Sequence, residues 1–266
     1  MEMDVYNNIQ HNVKKILNID LTYYKDEQMR RRLDSWLVRT TLSSWDEYFH
    51  LVTHDETELT RFRNYLTINV TEFFRDLDRW NALIKDVLPG LIKDAAARKA
   101  PQDGLRVWSA GCSVGVEAYT LAMVLEEIMP MKNHTILATD LDRGALAKAK
   151  AGGPYQADET KNLTDVQKRK YLETGGPPHF IRKTLASKIT FREQNLMTDQ
   201  FDNNFDLIVC RNVIIYFTND AKAKLYPKFQ QALRPGGVLF LGGTEIIPRP
   251  AEIGLKNYGI SFYIKA

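Results

Sequence analysis

The stretch that decides the fold runs Arg106-Val107-Trp108-Ser109-Ala110-Gly111-Cys112-Ser113-Val114-Gly115-Val116-Glu117-Ala118-Tyr119. It joins an apolar strand to a turn of small residues, and the turn opens a helix. Turns of this kind cradle nucleotide-like cofactors. A second strand, Thr135 to Thr139, follows and ends at Asp140, where a carboxylate can accept hydrogen bonds from both hydroxyls of a ribose. Strand, glycine turn, helix, strand and acid in this order predict a doubly wound nucleotide-binding sheet.

The turn also narrows the choice of nucleotide. Dinucleotide-binding turns carry the pattern G-x-G-x-x-G, which presents backbone amides to a pyrophosphate. This chain has only Gly111 and Gly115 there, and it places Glu117 in the first turn of the helix. A carboxylate there would repel a pyrophosphate but suits an ammonium group, such as that of the methionine part of S-adenosylmethionine. Alternatively, both glycines only allow tight packing of strand on helix, but Asp140 at the next strand end favours the cofactor interpretation.

Composition indicates an ordinary globular protein. The 266 residues are 44% hydrophobic, which is enough for one large domain or two modest ones. No apolar run approaches the roughly 20 residues of a spanning helix, and the first residues lack the basic start and apolar core of a signal peptide. We therefore expect a cytoplasmic protein without membrane insertion. Cys112 and Cys210 are interpreted as packing residues, and neither the cysteines nor the histidines are spaced as metal ligands.

Charge carries more information in its distribution than in its sum. The net charge of +3 is too small to indicate nucleic acid. The main basic cluster consists of Lys25, Arg30, Arg31, Arg32 and Arg39. It lacks the interleaved aromatic residues expected of single-strand binding, so we expect no nucleic acid partner. Nothing in the sequence requires an oligomer, and we expect a monomer.

Two patterns of hydrophobicity divide the chain. Apolar residues recur at helical spacing through the first part, where Ser44 and Glu47 form a capping-box signature. From Leu105 strand and helix patterns alternate, which is typical of a mostly parallel sheet covered on both faces. We therefore predict a helical domain over 1–75, a linking helix and linker over 76–104, and an α/β domain over 105–266.

The alternation also places the individual elements. Strands are predicted at Leu105–Ser109, Ile136–Thr139, Ile189–Arg192, Phe205–Cys210, Val238–Leu241 and Ser261–Ile264. Helices are predicted at Glu117–Ile128, Arg143–Lys150, Thr164–Leu172 and Asp220–Leu233. In an insertion near 175–195, Phe180 to Lys183 and Ile189 to Arg192 flank a short turn, which predicts a small antiparallel hairpin.

Polar residues follow the strand predicted at Phe205–Cys210. Arg211, Asn212 and Tyr216 come after its carboxyl end, and ligands bind outside those ends in open α/β sheets. We therefore expect them to face the same cleft as the glycine turn and Asp140. The alternative is that Arg211 forms a salt bridge within the loop and Tyr216 packs in the core.

Two further segments have a weaker signal. Asn195-Leu196 follows the strand before, and either contacts an adenine ring through a backbone or amide group or forms a plain turn. Asn69 to Arg75 joins the helical part to the sheet, with Asn69 and Thr71 two residues apart. In isolation this segment would be an ordinary helix start with a solvated Arg75. Because this segment occurs together with the glycine turn, Asp140 and the polar residues after Cys210, we interpret it instead as part of the candidate site.

Together these blocks resemble the CheR family of chemotaxis protein-glutamate O-methyltransferases. The matching blocks are Asn69 to Arg75, Trp108 to Tyr119, Ala138 to Asp142, Cys210 to Phe217, Leu233 to Gly237 and Gly243 to Glu245. The resemblance extends to the helical part, where Met29 to Leu33 resembles the basic second helix of that family. The glycine turn and the acid would fit any class I methyltransferase, whereas the first and fourth blocks together are more selective.

The resemblance implies both a fold and an activity. The fold is a class I S-adenosylmethionine-dependent methyltransferase, Rossmann-like with a mostly parallel sheet and an inserted small antiparallel β-subdomain, preceded by an all-α domain. The activity is the transfer of a methyl group to glutamates in the cytoplasmic region of a chemoreceptor, which yields methyl esters and S-adenosylhomocysteine. In some members of the family the β-subdomain docks a receptor-tail peptide.

The resemblance also implies the site residues. Those expected to contact the cofactor are Asn69, Thr71, Arg75, Gly111, Glu117, Asp140, Asn195, Leu196, Arg211 and Asn212. Arg75 and Tyr216 would also border the reacting methyl group and position the incoming carboxylate. Arg30, Arg31 and Arg32 would face the acidic methylation region of the receptor.

One block departs from the family pattern. The family usually has Gly-Glu-Glu-Pro-Tyr where this chain has Gly115-Val116-Glu117-Ala118-Tyr119. The ammonium-binding acid Glu117 is retained, so we expect cofactor binding to be little affected. A rival class is a non-catalytic module of the same fold that binds S-adenosylmethionine or S-adenosylhomocysteine as a signalling scaffold. Arg75 and Tyr216 together favour catalysis, because a pure binder does not need both near the methyl group.

Overall fold

The computed structural model describes residues 2–67, 71–98 and 104–266. By their contacts the residues form two compact units. The first consists of Met1–Ile68 with Tyr216–Ala223, and the second of Asn69–Ile215 with Lys224–Ala266. The predicted site residue Asn69 lies outside the described residues.

The first unit is helical, as its apolar spacing predicts. Its helices are α1 (Met3–Leu17), α2 (Asp26–Arg39), α3 (Trp45–Val52) and α4 (Glu56–Leu66). Ser44 caps α3 by accepting a hydrogen bond from Glu47 N at 3.3 Å, while the Glu47 carboxylate accepts from Ser43 N, one residue before the predicted partner. Trp36, Tyr48 and Phe62 pack ring against ring in the core of this unit.

The segment Tyr216–Ala223 joins this unit by pairing with the chain before α2. Thr218 N donates to Tyr23 O at 2.8 Å, and Lys25 N donates to Tyr216 O at 3.0 Å. The rings of Tyr24 and Phe217 meet edge to face, 5.1 Å apart. The chain therefore returns to the helical unit at Tyr216, a few residues after β4 and Arg211.

The second unit is a sheet with helices packed on it. Its helices are α5 (Leu77–Ala82), α6 (Leu88–Ala97), α7 (Val116–Ile128), α8 (Arg143–Ala151), α9 (Asp165–Tyr171), α10 (Lys183–Ala186) and α11 (Asn219–Ala232), the last of which begins in the first unit. Its strands are β1 (Arg106–Ala110), β2 (Thr135–Asp140), β3 (Ile189–Glu193), β4 (Phe205–Cys210), β5 (Leu233–Leu241), β6 (Leu255–Asn257) and β7 (Phe262–Lys265). Over the described residues, seven strands form one sheet in the order β3-β2-β1-β4-β5-β7-β6.

The sheet confirms the predicted mostly parallel fold. Strands β1 to β5 pair in parallel, and β7 runs antiparallel to both β5 and β6. Because the strands are parallel, the carboxyl ends of β1, β2 and β4 meet on one side of the sheet, where Gly111 and Arg211 follow β1 and β4 and Asp140 is the last residue of β2. Cys112 and Cys210 are buried, as the packing interpretation expects, and burial raises the pKa of both thiols.

The segment predicted as a linking helix packs with the sheet. Helix α5 continues through a π-helical turn, Leu83–Val87, into α6. The buried Trp80 ring meets Phe240 of β5 edge to face at 5.8 Å, and Asp94 of α6 pairs with Arg234 at 2.6 Å. The domain limits 1–75, 76–104 and 105–266 stay a prediction about independent folding, but the two compact units divide between residues 68 and 69.

The predicted antiparallel hairpin over 180–192 is wrong in its pairing. Ile189–Glu193 instead forms β3, which pairs in parallel with β2 at the edge of the main sheet, and Lys183–Ala186 is a short helix. The antiparallel contacts of the insertion are two isolated bridges, Tyr155 with His179 and Leu172 with Ile181. An edge strand exposed on one face shows the same alternation of polar and apolar residues as a hairpin strand, and this explains the error.

Candidate active site

The glycine turn contains two glycines in the left-handed region, with Ser113 between them at φ of 50°. Gly111 has φ of 84° and Gly115 has φ of 88°, a region that other residues rarely adopt. A Cβ at Gly111 would lie 2.5 Å from Val213 Cγ2, and one at Gly115 would lie 2.7 Å from Ala149 Cβ. Gly115 therefore allows α7 to pack against α8, which is a contact of helix with helix rather than the predicted packing of strand on helix. Gly111 allows the loop after β4 to approach the turn.

Asp140 is locked to this turn by backbone hydrogen bonds. Its Oδ2 accepts from Ser113 N at 2.7 Å and its Oδ1 from Asp142 N at 2.9 Å. Burial raises the pKa of Asp140 to about 6, although these backbone hydrogen bonds oppose the shift. Each carboxylate oxygen keeps a lone pair for a further donor, so the group can still accept from two hydroxyls.

Glu117 lies in the first turn of α7, and its carboxylate has one side-chain donor. Ser109 Oγ donates to Glu117 Oε1 at 2.8 Å. Burial raises the pKa of Glu117 to about 7, against the opposing charges of Arg211 and Arg75. A carboxylate with its pKa raised in this way is stabilised by a cationic partner, and the ammonium group of S-adenosylmethionine is such a partner.

Arg211 connects the end of β4 to the segment before α5. Its Nη2 donates to Arg75 O at 2.9 Å and to Asp76 Oδ2 at 2.7 Å. The guanidinium lies 4.9 Å from the centre of the Phe240 ring and 5.5 Å from that of Trp80. Burial lowers the pKa of Arg211. The predicted alternative for Arg211, a salt bridge, is thus present, but its partner Asp76 is distant in sequence rather than within the loop.

Residues 71–76 are not an ordinary helix start. Phe73 N donates to Glu159 O at 2.9 Å, and Phe74 N donates to the buried Thr120 Oγ1 at 3.3 Å. Phe74 and Asp76 have φ of 50° and 58°, the left-handed region that costs energy in residues with a Cβ. The surroundings thus fix an irregular backbone here. It holds Arg75, half-buried, at the carboxyl edge of the sheet, with Thr71 half-buried at the start of the segment.

The buried Glu245 is a further residue of this region, and the sequence patterns assign it no role. Its Oε2 accepts from Asn212 N at 3.0 Å and from Gly242 N at 2.6 Å, and its Oε1 accepts from Ile215 N at 3.1 Å. Asn212 itself has φ of 60°. Glu245 therefore fixes the loop that begins with Arg211. The available signal was an acid in a short polar stretch directly after the apolar strand β5.

Asn195 and Leu196 belong to a single helical turn beside Asp140. Gln194 N donates to Asp140 O at 2.9 Å, which places Asn195 next to the acid. Asn195 Oδ1 accepts from Met197 N at 3.0 Å, and Asn195 O accepts from Asp199 N at 3.0 Å. Leu196 is buried. The predicted plain turn is present, at the edge of the sheet where the cofactor interpretation requires it.

The remaining predicted site residues lie in the helical unit. Tyr216 is half-buried there. Of the three arginines, only Arg31 is exposed, because the Arg30 and Arg32 guanidinium groups lie over the rings of Tyr6 and Tyr65. Arg32 also donates to the carbonyls of Tyr65 and Thr67 at the end of α4. Arg32 therefore has a packing role, whatever else it does.

The described residues hold no cluster of three or more histidine, cysteine or acidic side chains suited to a metal ion. Among the helices that the structure describes, none is long and apolar enough to cross a membrane.

The donor set at the sheet edge fits S-adenosylmethionine. The Glu117 carboxylate suits a cation, and the Asp140 carboxylate can accept hydrogen bonds from hydroxyls. The glycine turn lies between them in the chain. This fold and this site define a Rossmann-like methyltransferase that uses S-adenosylmethionine. Two family models cover most of the chain: the SAM binding domain of CheR methyltransferase matches residues 69–261, and the all-alpha domain of CheR methyltransferase matches residues 4–67. The chain belongs to the CheR methyltransferase family.

Similar proteins agree with this assignment. A chemotaxis protein methyltransferase of Listeria monocytogenes is 42% identical over 253 residues, which cover 95% of this chain and 94% of the relative. That of Escherichia coli (strain K12) is 33% identical and covers 85% of this chain and 79% of the relative. A solved S-adenosylmethionine dependent methyltransferase from Mesorhizobium loti is 23% identical over 56% of this chain and 51% of that chain, with a TM-score of 0.32, and adds nothing to the assignment. The protein is thus an enzyme, and the non-catalytic alternative is set aside.

Proposed function

We propose that the protein transfers methyl groups from S-adenosylmethionine to glutamate side chains in the cytoplasmic region of a chemoreceptor. The observation that carries the proposal is the charge arrangement at the carboxyl ends of the strands, where the cations Arg75 and Arg211 both act on the half-buried Glu117. Such a site suits a cationic cofactor beside an anionic substrate. The name shared by the relatives, chemotaxis protein methyltransferase, supports the choice of receptor.

The chemistry demands little proton transfer from the protein. A glutamate carboxylate has a pKa of about 4.3 and is ionised at neutral pH, so no general base is required. When bound, S-adenosylmethionine supplies a methyl group on a positively charged sulfur, which leaves as a neutral thioether once the methyl is bonded to a carboxylate oxygen. Alignment is then the main task, and it can contribute up to roughly 7–11 kcal/mol.

Each predicted residue has a role in this proposal. Glu117 holds the ammonium group, Asp140 the ribose hydroxyls, and Asn195 with Leu196 the adenine ring. The other cofactor contacts are Asn69, Thr71, Gly111, Arg211 and Asn212. Arg75 and Tyr216 position the substrate carboxylate, and Arg75 also contacts the cofactor. The α2 arginines, chiefly the exposed Arg31, attract the acidic receptor surface. We propose that the enzyme acts as a monomer in the cytoplasm.

The test is methyl transfer to a purified cytoplasmic fragment of a chemoreceptor from the same organism. With methyl-labelled S-adenosylmethionine, label should enter the fragment and be released as methanol in mild alkali, because a methyl ester hydrolyses there and a methyl amine does not. A fragment with its methylation-region glutamates replaced by alanine is the control. Alkali-stable label, or equal labelling of the replaced fragment, would contradict the proposal.

Arg75 offers the sharpest variant of this assay. Arg75→Ala should lower kcat by about 100-fold or more, since it removes the group that orients the carboxylate, while the affinity for S-adenosylhomocysteine falls much less. Arg79→Ala, which removes an arginine one turn further on, is the matched control and should keep kcat. Unchanged turnover in Arg75→Ala would remove Arg75 from the catalytic role.

A further inference from the structure

Lys228 makes an unusual set of contacts with the turn that carries Asn195 and Leu196. Its Nζ donates to Leu196 O at 2.8 Å, to Met197 O at 3.3 Å and to Asp199 O at 2.8 Å. One ammonium group thus uses all three of its donors on the carbonyls of one short turn. No sequence pattern singled out this lysine, which lies in the middle of α11.

We propose that Lys228 is a positioning residue that holds the turn over 195–199 in the shape that receives the adenine end of the cofactor. The inference rests on the proposed role of Asn195 and Leu196 at that end. It goes further, because it assigns the shape of the turn to a side chain on another element, 29 to 32 residues after the carbonyls it contacts.

The turn cannot satisfy these carbonyls by itself. Asn195 O accepts from Asp199 N, so the turn closes once in helical fashion and does not continue. The carbonyls at the end of a helical turn point away from it and carry partial negative charge, which a cation stabilises. Lys228 is the side chain that meets them here.

The surroundings hold the ammonium group in place. Lys228 Nζ lies 4.2 Å from the centre of the Phe201 ring, and Phe201 stacks on Phe229 at 5.6 Å and contacts Trp108 of β1 at 4.8 Å. Burial lowers the pKa of Lys228, as expected of a cation that has lost much of its water. Because Lys228 is held in this way, its hydrogen bonds fix the position of the turn relative to α11.

The geometry also explains why the residue is a lysine. A lysine ammonium is a compact point charge with three donors, whereas an arginine guanidinium spreads its donors over a planar fork. The three carbonyl oxygens converge on one atom. An arginine should therefore keep the charge but lose part of the geometry.

The turn is coupled to the acid that receives the ribose. Gln194 N donates to Asp140 O, and Asn195 is the next residue. A displaced turn would therefore disturb the adenosine half of the site and leave the ammonium-binding half, built around Glu117 and Ser109, in place. This difference separates positioning from a general structural role.

The test compares two ligands by calorimetry: S-adenosylhomocysteine, and 5′-methylthioadenosine, which lacks the amino acid end. Lys228→Met should weaken both by the same factor, about 10-fold or more, since only the adenosine half is disturbed. Glu117→Gln should weaken S-adenosylhomocysteine and spare 5′-methylthioadenosine. Lys224→Met, which removes an exposed lysine one turn earlier in α11, should bind both ligands as wild type does.

Turnover provides the second measurement. In Lys228→Met the KM for S-adenosylmethionine should rise by the factor seen in binding, while kcat at saturating cofactor stays within about threefold of wild type. Lys228→Arg, which keeps the charge and is expected to fold, should weaken both ligands by a smaller factor.

Three outcomes would overturn the inference. They are wild-type affinity in both Lys228 variants, a fall in kcat without a rise in KM, and a loss confined to S-adenosylhomocysteine. If Lys228→Met does not fold, Lys228→Arg decides, and wild-type affinity there contradicts the inference. Failure of the proposed function has a different signature, because the wild-type protein would then bind neither ligand or transfer no methyl group.

Discussion

Two carboxylates at opposite ends of the sheet, the buried Asp206 and the half-buried Glu117, have different surroundings. At the amino ends of the strands, Asp206 accepts hydrogen bonds from Arg98 at 2.6 Å, Arg234 at 2.7 Å and Arg106 N at 2.8 Å. At the carboxyl ends, Glu117 has Ser109 as its hydrogen-bond donor, and burial raises its pKa to about 7. Asp206 thus has three hydrogen-bond donors, whereas Glu117, the proposed ligand of the ammonium group, has one side-chain donor among the described residues.

Removal of the satisfied acid should have the largest effect. Asp206→Ala removes the carboxylate shared by Arg234 and Arg98 and leaves the buried Arg234 with the more exposed Asp94 as its acid, and a broken buried pair typically costs about 3–5 kcal/mol. Urea denaturation of the free protein measures this loss.

The neighbouring Asp202 provides the matched control. It pairs with Arg106 and Arg192 at the surface, so Asp202→Ala should cost about 0–1 kcal/mol. Equal losses in the two variants would mean that the Asp206 network does not carry the stability assigned to it.

Removal of the Glu117 charge should instead affect the binding of S-adenosylhomocysteine. Glu117→Gln should weaken S-adenosylhomocysteine by about 100-fold, because the amide carries no charge for the ammonium group. The free protein should not lose stability, since the charged form of Glu117 is disfavoured by burial. Calorimetric titration and urea denaturation measure the two effects, with Glu127→Gln, on the exposed end of the same helix, as the control. A large loss of stability in Glu117→Gln would mean that Glu117, like Asp206, has a structural role.

The pH dependence sharpens the comparison further. The pKa values of Glu117 and Asp140 are raised to about 7 and about 6, so both carboxyls gain protons as the pH falls through that range. Affinity for S-adenosylhomocysteine should therefore fall by about 10-fold from pH 8 to pH 6. In Glu117→Gln the remaining dependence should follow Asp140 alone and shift to lower pH.

The same shifts fix the sign of the stability change. A carboxyl whose folded pKa is raised binds more protons in the folded than in the unfolded state, so its contribution to stability is full below the unfolded pKa and is lost as pH rises through the folded value. For Glu117 this window extends from about 4.5 to about 7. The free wild-type protein should therefore lose stability relative to Glu117→Gln over that window, and parallel urea curves at each pH would contradict this.

The smallest effect is expected in the helical unit, where Arg32, which has contacts within the protein, can be compared with the exposed Arg31. Arg32 donates to two carbonyls and lies over the Tyr65 ring, whereas Arg31 is exposed. Arg31→Ala should raise the KM for the receptor fragment by about threefold without changing the melting temperature, as for a rim charge. Arg32→Ala should lower the melting temperature as well. Lys15→Ala, an exposed basic residue of α1, is the control that should change neither.

The sequence predicts those parts of the site that depend on local pattern. Gly111, Glu117 and Asp140 are recognisable because strand, turn and helix succeed one another within about 35 residues. The residues that hold Arg211, the loop after β4 and the turn over 195–199 are not recognisable from the sequence pattern. Asp76, Glu245 and Lys228 act by hydrogen bonds to a distant arginine, to backbone amides or to carbonyls, and such contacts leave no spacing in the sequence.

The same limit explains the errors in the strands. The residues of β3 alternate as a hairpin strand would, and only the parallel pairing with β2, more than 50 residues earlier, distinguishes the two. Strand β5 begins at Leu233, five residues before its predicted start, although Pro235-Gly236-Gly237 has the composition of a turn. A register shift opposite Phe205 and Leu207 accommodates these residues within the strand.

Asp140 uses its side chain and its backbone on different segments. The carboxylate accepts from Ser113 N, and the carbonyl accepts from Gln194 N. The exchange rate of the Ser113 amide proton therefore depends on the Asp140 side chain, and that of the Gln194 amide proton on the Asp140 backbone. Hydrogen exchange at these two positions would sort cofactor analogues by the part of the site they occupy: adenosine compounds should slow both amides, and free methionine neither.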